Sequence, residues 1–77
     1  MRRFLITAPD WGLVDGYLGS EPTKAEAIVE ATKAARAHQK MKLSDHIVVV
    51  EEITFTLPFG WELVLTRDVW DAEEFLP

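Results

Sequence analysis

A chain of 77 residues makes one domain, 1–77, and leaves no room for a second core. With 8 Lys and Arg against 13 Asp and Glu the formal net charge is −5, which argues against general nucleic-acid binding, because that relies on basic side chains neutralising phosphates. The absence of cysteine excludes disulfides and thiolate metal sites.

The chain opens basic and then apolar, from Met1 to Ala8, but the apolar run is far too short for a signal-peptide core, and nothing reaches transmembrane length. The expectation is a soluble, cytoplasmic protein. Arg2 to Ala8 reads as a first strand, with Phe4, Ile6 and Ala8 on one face and Arg3, Leu5 and Thr7 on the other. Pro9-Asp10-Trp11-Gly12 has turn composition. Leu13 to Gly19 then reads as a returning strand, weakened by Gly16 and Gly19 and so placed at an edge. A tight turn at Asp15-Gly16 competes with it but leaves arms of only two or three residues.

Thr23 followed by Glu26 is a capping box, and nothing breaks a helix from Lys24 to about Lys40. Ala27, Ile28, Ala31, Ala34, Ala35 and His38 fall on one side, a face that lets the helix approach a sheet closely. Ala31 and Ala35 are expected at the crossing, against Val49, Leu63 or Leu65. Lys33, Arg36 and Lys40 form an outward basic stripe with Val29 on the same side; a solvated, dipole-matched face explains it without a ligand.

His46 to Arg67 carries the strongest pattern. Two runs rich in β-branched and aromatic residues flank Pro58-Phe59-Gly60, as in an antiparallel hairpin. Trp61, Leu63 and Leu65 alternate with Glu62, Val64 and Thr66. In the first run Ile47, Val49, Ile53 and Phe55 share a parity broken by Glu51, and the Glu51-Glu52 pair is a candidate β-bulge. These elements predict an α+β fold, β-β-α-β-β, with a four-stranded antiparallel sheet and one helix packed on its apolar face. After Arg67, Asp71 is placed to cap a short turn carrying Glu73 and Glu74, with Phe75 and Leu76 on one side and Trp70 nearby.

Charge is unevenly spread. Through Val50 there are seven Lys and Arg against six acids; from Glu51 onward one Arg faces seven acids. Catalytic constellations are lacking. Ser44-Asp45-His46 holds the residue types of a hydrolase triad, but sequence neighbours cannot form one. His38 and His46 make two imidazoles without closely spaced partners for zinc. Pairing of Asp10 or Asp15 with Glu51 or Glu52 is no more than any acidic domain offers, and Gly12, Gly16 and Gly19 do not precede a phosphate-binding helix. No catalytic residue, cofactor or metal ligand is assigned.

The features left point to protein binding. Trp11, Phe59, Trp70 and Phe75 sit in turns or the tail, and tryptophan is a common interface anchor. Trp70 and Phe75, set among Asp68, Asp71, Glu73 and Glu74, together with Trp11, form the expected contact surface for a partner with a basic surface. On this reading the tail projects and residues 71–77 are dispensable for folding; on the opposing reading both rings fold back on the sheet and close the core. Two alternatives are a nucleic-acid binder using Lys33, Arg36 and Lys40 with Arg2 and Arg3, and a homodimer paired through an edge strand, which Glu51, Glu52 and Glu62 would oppose unless they point away.

Thr23 to Ala27, Ile47 to Val50 and Gly60 to Glu62, in their order of elements, resemble small virus-encoded inhibitors, among them anti-CRISPR proteins and phage inhibitors of host RNA polymerase. The resemblance implies a non-catalytic protein that occludes a functional surface of a host complex. It carries over no individual functional residue.

Overall fold

The computed structural model describes residues 1–9, 16–41 and 46–75, with helix residues 38–41 described by their backbone alone. In chain order the elements are β1 (Arg2–Thr7), β2 (Gly19–Glu21), α1 (Lys24–Met41), β3 (Val48–Thr56), a 3₁₀ turn (Pro58–Gly60), β4 (Glu62–Asp71) and α2 (Ala72–Phe75). The strands form one antiparallel sheet in the order β2-β1-β3-β4. The α+β class, the four-stranded sheet and the covering helix are thus as the sequence predicts.

The returning strand differs. Gly16, Tyr17 and Leu18 are not strand, and residues 13–15 lie outside the described ones. Pairing with β1 runs instead over Gly19–Glu21, with Ile6 opposite Gly19 and Phe4 opposite Glu21. Gly16 has a φ of 80°, outside the extended region, so strand geometry resumes only after it.

α1 begins as its capping box specifies: Glu26 N–H donates to Thr23 Oγ1 at 3.2 Å. Ala27, Ala31 and Ala35 recur every four residues and are fully buried. They pack on Phe4 and Ile6 from β1, on Ala8 just after it, on Ile47 and Val49, and on Trp70 and Ala72. Alanine contributes little area of its own, but it brings the helix axis close to the larger sheet residues.

The β-bulge lies in β4, not at Glu51-Glu52. Val49 pairs with Trp70 while Val50 pairs with Asp68, so Val69 is the extra residue. Glu51 and Glu52 keep regular register with Arg67 and Thr66. A carboxylate breaking an apolar parity and an inserted residue look alike in sequence; here the carboxylate remains on the helix side because arginines meet it there. The inserted Val69 has a structural effect. Strand parity alone would send Trp70 to the face opposite Leu63, Leu65 and Arg67, and the extra residue returns it to the helix side, where it joins the core.

The molecule is elongated, 49 × 25 × 16 Å, with a radius of gyration of 13.7 Å against ~11.5 Å for a compact chain of this length. β1 pairs with β3 only as far as Arg2–Ile53, with backbone bonds between Met1 and Thr54 beyond it. The distal β3–β4 hairpin therefore extends as a two-stranded arm. Of the expected contacts below Ala31 and Ala35, Val49 is in the core, but Leu63 and Leu65 lie on the arm, 44% and 50% exposed. The helix stops short of them because its buried face sits over β1 and the proximal half of β3.

Ala31→Leu should overpack the crossing and cost about 1–3 kcal/mol in equilibrium denaturation. Leu65→Ala, outside the helix footprint, should cost at most about 1 kcal/mol in the same measurement.

Candidate protein-docking surface

Two arginines of β1 meet two glutamates of β3 on opposite sides of the sheet. On the helix side Glu51 lies between Arg67 Nη2 at 3.2 Å and Arg2 Nε at 3.7 Å. On the other side Arg3 Nε donates to Glu52 Oε1 at 2.7 Å, and its guanidinium lies 5.4 Å from the Tyr17 ring centroid. Hydrogen bonds from Arg3 to Glu52 and then to Tyr17 raise its pKa above the ordinary arginine value. The charged trio Arg2–Glu51–Arg67 marks where the buried core ends and the arm begins.

Beyond it the helix-side face of the arm is apolar. Ile53 is opposite Leu65 and Phe55 is opposite Leu63, and Phe55, Leu63 and Leu65 are all exposed. Arg2, Glu51, Ile53, Leu65, Thr66 and Arg67 line a groove of about 520 Å³ at its base. The reverse face carries Thr54, Thr56, Glu62, Val64, Thr66 and Asp68. The arm's acids outside the arginine pairs, Glu62 and Asp68, thus lie behind the apolar strip.

The tip is the most exposed part of the arm. Leu57 N–H donates to the Trp61 carbonyl at 2.7 Å and closes the turn. Inside it Phe59 has φ 69° and ψ 17°, and Gly60 has φ 82°. The left-handed region suits Gly60 but costs a side-chain-bearing residue about 1–2 kcal/mol. The Phe59 ring is 99% exposed and Trp61 is 72% exposed, so contacts within the domain do not offset this cost.

The surface expected around Trp70 is divided. Trp70 lies within β4 rather than beyond the hairpin, is 9% exposed and belongs to the core. Phe75 stacks on it at 6.1 Å with an interplanar angle of 8° and keeps its outer side open, 62% exposed. Asp71 pairs with Val48, and its Oδ1 accepts the Glu73 N–H at 2.9 Å, as a cap should. Ala72 N–H donates to the Ile47 carbonyl at 2.9 Å, and Ala72 itself is buried. Residues 71–75 are therefore packed onto the fold, the second of the two arrangements the sequence leaves open for the tail. Asp68, Glu73 and Glu74 are exposed, while Trp11 lies outside the described residues.

Of the basic stripe, Lys33 pairs with Glu30 at 3.3 Å, Arg36 is exposed, and the Lys40 side chain lies outside the described residues, as do the side chain of His38 and both Ser44 and Asp45. A second cleft of about 610 Å³ runs between α1 and β2, lined by Ile6, Leu18, Glu30, Lys33 and Ala37 among others. His46, Asp71 and Glu73 present potential ligand atoms within 4.8 Å of one another. Both oxygens of Asp71 already serve the fold, Oδ1 as the cap and Oδ2 at 3.2 Å from His46 Nε2. Among the described residues no helix is long and apolar enough to cross a membrane.

The apolar strip and aromatic tip had a signal in the sequence: the hairpin strands outrun the first strand, so a helix packed over β1 leaves their far ends bare. Comparison with protein-family models, with curated proteins and with solved structures gives no match to this chain.

Trp70→Ala should cost about 3–5 kcal/mol and Phe75→Ala no more than about 2 kcal/mol, compared by chemical denaturation. Equal losses would mean that Phe75 is as much a core residue as Trp70.

Proposed function

We propose that this is a non-catalytic protein-binding module whose β3–β4 arm carries the contact surface. Phe59 and Trp61 at the tip act as anchors, and Glu62, Asp68, Glu73 and Glu74 steer the arm towards a partner with a basic surface. The observation that supports this best is Phe59, an almost fully exposed ring in a conformation where glycine would cost less. Aromatic anchors give contact area at low entropic cost, and the surrounding carboxylates act mainly on the rate of encounter.

The resemblance to phage-encoded inhibitors fits the same reading: an acidic arm seated on a basic surface excludes nucleic acid from it. The basic helix stripe has less to support it, because Lys33 is already tied to Glu30.

Phe59→Gly separates stability from binding. It should raise stability by about 1 kcal/mol through relief of the left-handed φ, and should weaken partner capture together with Trp61→Ala. Affinity capture by the wild-type chain and by both variants, alongside thermal denaturation, checks this. Capture that survives both substitutions would place the contact away from the tip. Retention of the wild-type chain on DNA, falling steeply with salt, would favour the nucleic-acid reading.

A further inference from the structure

Among the described residues β4 ends the strand order, and the outer side of its ten residues has no neighbouring strand there. The opposite edge, β2, is only three residues long, a common protection against edge pairing. The bulge at Val69 protects the proximal part of β4 in a similar way, but Glu62 to Asp68 pairs with β3 in unbroken register and contains no proline.

The hydrogen-bond phase of this edge is fixed. Leu57 N–H donates to the Trp61 carbonyl, and Thr54 N–H donates to the Met1 carbonyl on the far side of β3. Antiparallel alternation then turns the amides and carbonyls of Leu63, Leu65 and Arg67 towards β3 and those of Glu62, Val64 and Thr66 outward. A second copy related by a two-fold axis must bring outward residues opposite outward residues, which leaves few registers.

Charge and packing choose among them. With Leu65 opposite itself, Glu62 faces Asp68 of the partner subunit twice, a like-charge contact. With Thr66 opposite itself, the pairing runs into the bulge and sets Leu65 against the partner's Arg67. With Val64 opposite itself, Leu63 faces the partner's Leu65, Glu62 faces the partner's Thr66, and Trp61 faces the partner's Arg67. This last register opposes no like charges and adds a cation–π pair at each end between side chains that are 72% and 71% exposed. The acids that would resist self-association are already met or distant: Glu51 lies between Arg2 and Arg67, and Glu52 pairs with Arg3.

We infer that the protein forms a two-fold homodimer by antiparallel pairing of its β4 edges, centred on Val64. The contact is small, so the dimer is a reversible, concentration-dependent species. It leaves the helix-side strip and Phe59 of each arm open, engages Trp61 with the partner's Arg67, and rests on the strand edge rather than on the function proposed above.

Sedimentation equilibrium over a concentration series should show monomer and dimer in exchange. Val64→Pro removes an N–H that points outward and no bond to β3, so it should fold and remain monomeric. Thr66→Glu, set against the partner's Glu62 at two positions, should weaken the dimer about tenfold, and Thr66→Lys should tighten it. Val64→Cys should oxidise to a disulfide-linked dimer, whereas Val29→Cys, on the exposed side of α1, should not. If Val64→Pro fails to fold, the two Thr66 variants decide. A wild-type chain that stays monomeric to millimolar concentration overturns the inference, as does a dimer indifferent to both Thr66 charges.

Discussion

An apolar sheet face needs a second layer, and here one alanine-faced helix supplies it for only part of the sheet. α1 seats Ala27, Ala31 and Ala35 on Phe4, Ile6, Ile47 and Val49, where β1 and β3 run side by side. Past Ile53 the pairing with β1 gives way to a two-stranded arm, and the helix does not follow. The Arg2–Glu51–Arg67 trio stands at this boundary, with the Glu51 side chain only 12% exposed. Its two arginines let a carboxylate sit on the otherwise apolar face without being left unpaired.

The other end of the hairpin is tied down by a single inserted residue. Val69 shifts the parity of β4, and Trp70 thereby reaches the core instead of the reverse face. That shift draws the last turn in with it: Asp71 completes the strand and caps α2, Ala72 bonds to Ile47, and Phe75 covers Trp70. One strand thus serves two environments, a buried base fixed by the bulge and a distal half left to solvent.

The distal half combines three properties rarely left together on a monomer surface. It has an apolar strip, an aromatic tip with a left-handed Phe59, and an unprotected sheet edge. The acids are sorted relative to these features: Glu51 and Glu52 are neutralised by arginines, and Glu62 and Asp68 lie on the reverse face. An acidic chain can therefore present an apolar strip without setting unpaired like charge on the same face.

The sequence by itself determined the local structure. Thr23 and Glu26 set the helix start, the alanine repeat set its buried face, and β-branched runs around Pro58-Phe59-Gly60 set the hairpin, because capping, helical periodicity and turn chemistry act within a few residues. Phe59 was already visible there as an aromatic in a turn. Only the tertiary structure decided how far β1 accompanies β3, and hence which of Val49, Leu63 and Leu65 the helix covers. It also decided that Glu51 is a paired carboxylate and not a bulge, that the bulge is Val69, and that Trp70 is core while Phe59 and Trp61 are surface. These outcomes depend on register between strands distant in sequence, and a shift of one residue exchanges every inward side chain for an outward one.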